Sequence, residues 1–152
     1  MTMATQRILV ALDGSEAADH ALARAVNIAK EQGWGIDLLQ VIDTRQYTLT
    51  FGQTGAVDGK LLHETEQQIK HHLDQVVAPL VAKGLKVTPH IRFGSPRSVI
   101  AFDATKDYGT SLVVIGRSSK KMVTRMFIGS VASFVVENAP CDVLIVANPN
   151  AN

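Results

Sequence analysis

The residues with most chemistry to offer lie in one stretch, Gly116 to Ser130 (GRSSKKMVTRMFIGS), set between the apolar run SLVVI and the helix-like VASFVVENA. Gly116 lets a ligand approach the backbone closely, and Gly129-Ser130 opens a helix whose first amides have no partner within that helix. Such amides attract anions, because aligned peptide dipoles leave the N-terminal end partly positive. Arg117, Lys120, Lys121 and Arg125 add local positive potential. Each charge-assisted hydrogen bond contributes about 1.5–3 kcal/mol, so three or four sustain binding near ~1 μM, roughly −8 kcal/mol. A plainer reading fits the same letters: Gly116 ends a strand, Ser130 caps a helix, and the cations are solvated. Neither a Walker-type GxxxxGK[ST] nor a GxGxxG after the first strand is present.

Asp13-Gly14-Ser15 is the second place where chemistry is possible. Asp-Gly-Ser after a strand is common turn and cap chemistry, yet a carboxylate at the end of a first strand also sits where open α/β sheets bind ligands. His63, His71 and His72 share one predicted helix with Glu64 and Glu66, but His71 and His72 are adjacent and point to different faces, so an exposed polar face is expected rather than a metal site. Cys141, the single cysteine, excludes an internal disulfide and reads as a small core residue leading into the last strand.

The elements that must position these residues follow from periodicity. Arg7 to Leu12 (RILVAL) is a nearly unbroken apolar run, the pattern of a strand covered on both faces. Ser15 is the N-cap of a helix carrying Ala18, Leu22, Ala25, Val26 and Ala29 on its inner face and ending near Gly33. Ile36 to Ile42 reads as a second strand. A long loop over residues 43–59, read as mobile, holds Tyr47 and Phe51, which would form either a lid or a loose tip. Lys60 to Lys83 is a long helix with Leu61, Leu62, Ile69, Leu73, Val76, Val77 and Leu80 as its apolar face and Pro79 able to kink or shorten it. Leu85 to Phe93 is a strand that tolerates Pro89 best near an edge. Ser95 and Pro96 then start a helix through about Lys106 with Val99, Ile100 and Phe102 as its apolar positions. Ser111 to Ile115 and Asp142 to Ala147 are the last strands, before a tail over 148–152.

Alternating strands and helices give a parallel sheet between helical layers, an α/β fold. Ligands of such sheets sit outside the carboxyl ends of the strands where winding reverses, which points to the loops after Leu12, Ile42 and Ile115. A chain of 152 residues with 46% hydrophobic and 19% charged residues is expected to form one domain with one sizeable core. The formal charge of +1 gives no global pull toward nucleic acid or anionic membrane. With no apolar run of signal-peptide or membrane-spanning length, a cytoplasmic protein is expected.

Taken together, these stretches resemble the universal stress protein family, in its nucleotide-binding branch. The family pattern is glycine, two residues, glycine, nine residues, glycine, then serine or threonine; Gly116, Ser119, Gly129 and Ser130 fall on that spacing. The opening ILVALDGSEAADHALARA looks like the family's first strand and helix, and the resemblance spans nearly the whole chain apart from the loop over 43–59. It implies a three-layer sandwich with a five-stranded parallel sheet in the order 3-2-1-4-5, of the adenine nucleotide alpha hydrolase-like kind. It also implies ATP or a related adenine nucleotide, with or without Mg²⁺, at the strand ends. Carried over by position, Ala11 lines the floor, Asp13 lies by the nucleotide, and the main chain of Val41 meets the adenine edge. Gly116 lies by the ribose, and the amides around Ser119, Gly129, Ser130 and Val131 surround the phosphates, with the Ser130 hydroxyl as a further donor. A homodimer through Asp142 to Ala147 is implied as well.

The sequence departs from the pattern at Ser119, where the family has a glycine. Where positive φ is needed there, serine costs about 1–2 kcal/mol, which its hydroxyl can partly recover by donating to a phosphate oxygen. Asp142 replaces a proline common before the last strand. Three functions therefore stand in competition: an ATP-binding stress protein whose nucleotide biases conformation or partner choice, a dimeric scaffold without nucleotide, and an ATP hydrolase. The last lacks an evident base or second metal carboxylate beyond Asp13.

Overall fold

The computed structural model describes residues 5–47, 58–118 and 128–149. Its sheet is five-stranded, in the order β3-β2-β1-β4-β5, with every neighbouring pair parallel. The strands are β1 (Arg7–Leu12), β2 (Gly35–Ile42), β3 (Val87–Phe93), β4 (Leu112–Gly116) and β5 (Asp142–Val146). The helices are α1 (Glu16–Gln32), α2 (Gly59–Ala82), α3 (Pro96–Ser98), α4 (Thr105–Asp107) and α5 (Ser130–Asn138). A π-helical segment, Val99–Ala104, joins α3 to α4 in one continuous helical run.

Side chains alternate across a strand, so β1 feeds two cores. Ile8, Val10 and Leu12 pack with the alanines of α1 and with Leu73 of α2. Leu9 packs on the other face with Val99, Ile100, Ala101 and Ala104 and with Ala132 and Val135 of α5. This is why RILVAL is apolar almost without interruption. Along α1, Ala17, Ala18, Ala21, Ala25 and Ala29 are buried, and their small side chains let the helix lie close to the sheet. Ser15 caps it, accepting a bond from Ala18 N–H, and Gly33 ends it in the left-handed region at φ 72, a conformation cheap only for glycine.

Pro89 sits on an edge strand, as its chemistry demands. Ile36 N–H donates to Lys86 O (2.8 Å) and Gly94 N–H to Ile42 O (3.0 Å), so the even-numbered peptide groups at β3 face β2. The missing N–H of Pro89 therefore falls on the outer edge, where no ladder bond is lost.

Several expectations are corrected. Leu85 lies just past the turn that ends α2, its N–H donating to Leu80 O at 3.2 Å, and β3 starts at Val87. Leu61 is 45% exposed, and of that helix only Leu73 is fully buried. Pro79 does not shorten α2, which continues to Ala82. Ser95 has N-cap backbone geometry but makes no side-chain capping bond; Pro96, with preset φ and no N–H to satisfy, already supplies the helix start. Phe102 is 46% exposed, because the wider π turn carries it outward, where it meets Phe134 edge to face at 5.8 Å. The buried Thr105 hydroxyl donates to the carbonyls of Ala101 (2.8 Å) and Phe102 (3.2 Å), providing partners for peptide groups at the end of that segment. His63, His71 and His72 are all exposed. Phe51 and the rest of the loop from 48 to 57 lie outside the described residues, while Thr44–Tyr47 forms a 3-10 turn. No helix among the described residues is long and apolar enough to cross a membrane.

One charge is buried within the sheet. Asp37, 2% exposed, accepts from Arg7 Nε (2.6 Å) and Nη2 (2.9 Å), and its Oδ1 lies 2.7 Å from His90 Nε2. Gly35 makes the room: a Cβ there would lie 2.9 Å from a guanidinium nitrogen of Arg7. The carboxylate in turn holds the Arg7 guanidinium above its ordinary pKa, chiefly through their hydrogen bond.

Candidate functional site

The strand order reverses direction between β1 and β4, and the carboxyl ends of those strands open a crevice there. A cavity of about 270 Å³ occupies it. Its floor comes from Ala11, Leu12 and Ile115, one wall from the first turn of α1 (Ala17, Ala18), another from Pro96 and Ile100 on the helical run, and its far end from Gly129 to Ala132. Of the residues singled out in the sequence, Ala11, Asp13, Val41, Gly116, Gly129, Ser130 and Val131 all line this one cavity. Ser119, Lys120, Lys121 and Arg125 lie outside the described residues. Arg117 is on the wall.

The geometry assigns each residue a different kind of group. Val41 offers backbone. The odd-numbered peptide groups of β2 face β1, since Gly35 N–H donates to Gln6 O (3.1 Å), and the last pair in that ladder is Leu12 with Gln40. Gly14, at φ 83, then turns the chain away. The carbonyl of Val41 is left beyond the last rung, at the mouth of the crevice. Asp13 offers a carboxylate, and its Oδ1 accepts from Ser15 N–H (2.9 Å) and from the Ser15 hydroxyl (2.5 Å). The turn reading and the ligand-facing reading of Asp13 are thus compatible: the residue shapes the loop and lines the cavity.

Helix α5 offers amides. Ser133 N–H is the first to bond within the helix, to Gly129 O at 2.9 Å, which leaves the amides of Ser130, Val131 and Ala132 without intrahelical acceptors. Gly129, not Ser130, is the N-cap, so the Ser130 hydroxyl is not spent on capping. One expected donor is removed: Gly129 N–H already donates to Arg117 O at 2.7 Å. That bond ties the two ends of the 117–129 connection together, and Arg117 N–H ties the same point to β5 by donating to Val146 O at 3.0 Å.

Both glycines are required by neighbouring protein. A Cβ on Gly116 would lie 2.7 Å from Ala17 O and 2.9 Å from Ala17 Cβ, so the close approach that this residue permits is that of α1 to β4. A Cβ on Gly129 would lie 3.3 Å from Arg117 O and from Ser118 Cα. The sequence reading did not single out Ser15, Ala17, Ala18, Pro96, Ile100 or Ser118 as cavity residues. Ser15 was visible through its neighbour Asp13 and Ser118 through the motif around it; Pro96 and Ile100 had no local signal, because the crossing of the helical run over β1 and β4 brings them there. Among the described residues, no group of three His, Cys, Asp or Glu could hold a metal ion.

Comparison with known proteins gives a consistent pattern. The profile of the Universal stress protein family matches residues 4–147. A curated relative from Staphylococcus epidermidis, named for the same family, is 33% identical over 141 residues, 93% of this chain and 83% of its own. Among solved structures, universal stress protein UspA from Lactobacillus plantarum superposes with a TM-score of 0.78 at 28% identity, covering 95% of this chain and 99% of that one. The universal stress protein from Archaeoglobus fulgidus in complex with dAMP shares the fold, with a TM-score of 0.62 at 20% identity over 95% of this chain and 98% of its own.

Proposed function

The chain belongs to the universal stress protein family, and from that premise we propose that its rim cavity binds an adenine nucleotide, ATP foremost, whose presence biases the protein's conformation or choice of partner. The observation that carries this reading is the convergence of three complementary groups on one cavity: the leftover carbonyl of Val41, the Asp13 carboxylate, and the unbonded first turn of α5. In it, Val41 O accepts from the adenine amino group over a floor formed by Ala11, and Gly116 lies by the ribose. The amides of Ser130 and Val131, with the Ser130 hydroxyl, receive phosphate, which a helix N-terminus favours. By the family spacing, Ser119 is assigned to the phosphates as well. The dAMP held by the Archaeoglobus fulgidus relative supports the choice of an adenine nucleotide.

The protein acts as a binder rather than a hydrolase. Asp13 is the one carboxylate among the described cavity residues, and Ser15 already engages one of its oxygens. Its other oxygen is left for the nucleotide, which binds with or without Mg²⁺. The whole chain works as one domain in the cytoplasm and pairs through β5, an edge strand whose Val143 to Val146 are half-buried. Isothermal titration with ATP and Mg²⁺ tests the reading: saturable heat at micromolar ATP, lost in Gly129→Val, is expected. No heat at high micromolar ATP removes it in favour of a dimeric scaffold, and phosphate release that survives rigorous purification and disappears in Asp13→Ala favours a hydrolase.

A further inference from the structure

We infer that Ser15 is the positioning residue of this site: it holds one oxygen of the Asp13 carboxylate and leaves the other for a hydrogen-bond donor on the ligand. The inference rests on the nucleotide-binding reading above. Both side chains line the cavity. Ser15 meets Asp13 Oδ1 twice, through its N–H (2.9 Å) and its hydroxyl (2.5 Å), while the same hydroxyl oxygen accepts from Ala18 N–H (3.2 Å). A helix cap needs only an acceptor, and a hydroxyl has one proton in addition. Here that proton goes to the carboxylate.

The result is a directed chain, Ala18 N–H to Ser15 Oγ–H to Asp13 Oδ1, in which each bond polarises the next and the last is charge-assisted. It holds the carboxylate in one orientation before any ligand arrives, which lowers the ordering cost of binding. Gly14, at φ 83, folds the chain back so that Ser15 can reach Asp13. For α1 alone, aspartate, asparagine or glycine at position 15 would also serve. The Asp13 requirement is narrower: the group must accept from Ala18 and donate to a carboxylate at once. An aspartate cannot donate and would set a second negative charge beside the first, whereas a threonine retains the hydroxyl.

The test is a double-mutant cycle on the full chain, read as the dissociation constant for ATP by calorimetry, with far-UV circular dichroism and urea midpoints recorded so that weakening is scored on folded protein. Ser15→Gly, which keeps a tolerated cap, is expected to weaken ATP roughly tenfold, and Ser15→Thr to stay within about twofold of the parent. Asp13→Ala is expected to weaken binding at least as much as Ser15→Gly, and adding Ser15→Gly to Asp13→Ala to weaken it no further. Equal losses from Ser15→Gly with and without the Asp13 carboxylate overturn the inference, as does a Ser15→Thr variant as weak as Ser15→Gly; either result leaves the nucleotide reading standing. A parent protein that takes up no ATP at high micromolar concentration overturns both.

Discussion

Near the start of β1, Arg7, Asp37 and His90 close a polar cluster on itself, whereas at the carboxyl ends of the same strands Asp13, Val41 and the first turn of α5 leave theirs open. Arg7 and Ala11 point to the same face of β1, so the contrast is not one of layer. It is one of completion. In the closed cluster both carboxylate oxygens of a buried acid are engaged, and the polar chain continues through His90, stacked on Tyr108 at 3.9 Å, to Arg92, which donates to Asp107 at 2.7 Å. Buried charge survives there because each partner answers another. In the open set, a carbonyl, three helix amides and a hydroxyl line a cavity without partners among the described residues. The proposed nucleotide would complete these groups as Arg7 and His90 complete Asp37.

The largest expected break in this contrast comes from the closed side. Asp37→Ala strands Arg7 and His90 and is expected to cost about 3 kcal/mol of stability in urea unfolding, with ATP affinity of the folded protein unchanged. A loss of ATP binding at full folding would show that the two clusters are coupled. Next is Gly116→Ala, whose Cβ meets Ala17 O at 2.7 Å. Pushing α1 from β4 is expected to cost about 2 kcal/mol and to weaken ATP as well, since that contact shapes the cavity wall. Normal affinity in this variant would dissociate the wall from the site.

Ser130→Ala sharpens the contrast from the open side. Its hydroxyl does not cap α5, so stability should stay within about 0.5 kcal/mol while ATP weakens roughly tenfold. A drop in urea midpoint with unchanged affinity would reverse its assignment. The smallest effect concerns Cys141, which belongs to neither cluster. Burial chiefly, and the Asp142 charge next, push its thiol above the ordinary value, against a backbone hydrogen bond from Val113. A raised pKa means less thiolate at a given pH, so alkylation by iodoacetamide at about pH 8.5 is expected to lag free cysteine and to catch up as pH rises. Equal rates at neutral pH would contradict that environment.

Local chemistry was legible where it depends on neighbours in sequence. RILVAL is β1, Ser15 caps α1, Gly33 ends it, and Gly129-Ser130 opens α5, each as the residue types require. Reading failed where a residue's role is set by something far along the chain. Asp37 looked like one polar letter in an apolar strand; its partners Arg7 and His90 are 30 and 53 positions away. Phe102 is one of three apolar positions in its helix, yet it is 46% exposed where Val99 and Ile100 are buried, and the π segment changes the period that would have sorted them. Gly116 lines the cavity as its place after β4 suggests, but the need for glycine there comes from Ala17, 99 positions earlier in the chain.

By itself the sequence determined the fold class, the order of elements, the family pattern and the end of the sheet at which the cavity lies, because periodicity, caps and turn residues act over a few positions and repeat along the chain. Only the tertiary structure decided which polar groups remain available: that Gly129 N–H is spent on Arg117 O, that the Ser130 hydroxyl and the Val41 carbonyl are not spent on backbone, and that Ser15 turns Asp13 to one orientation. A hydrogen bond is a matter of two groups meeting within about 3 Å at the right angle. Which groups meet is fixed by how strands and helices cross, not by the letters on either side of them.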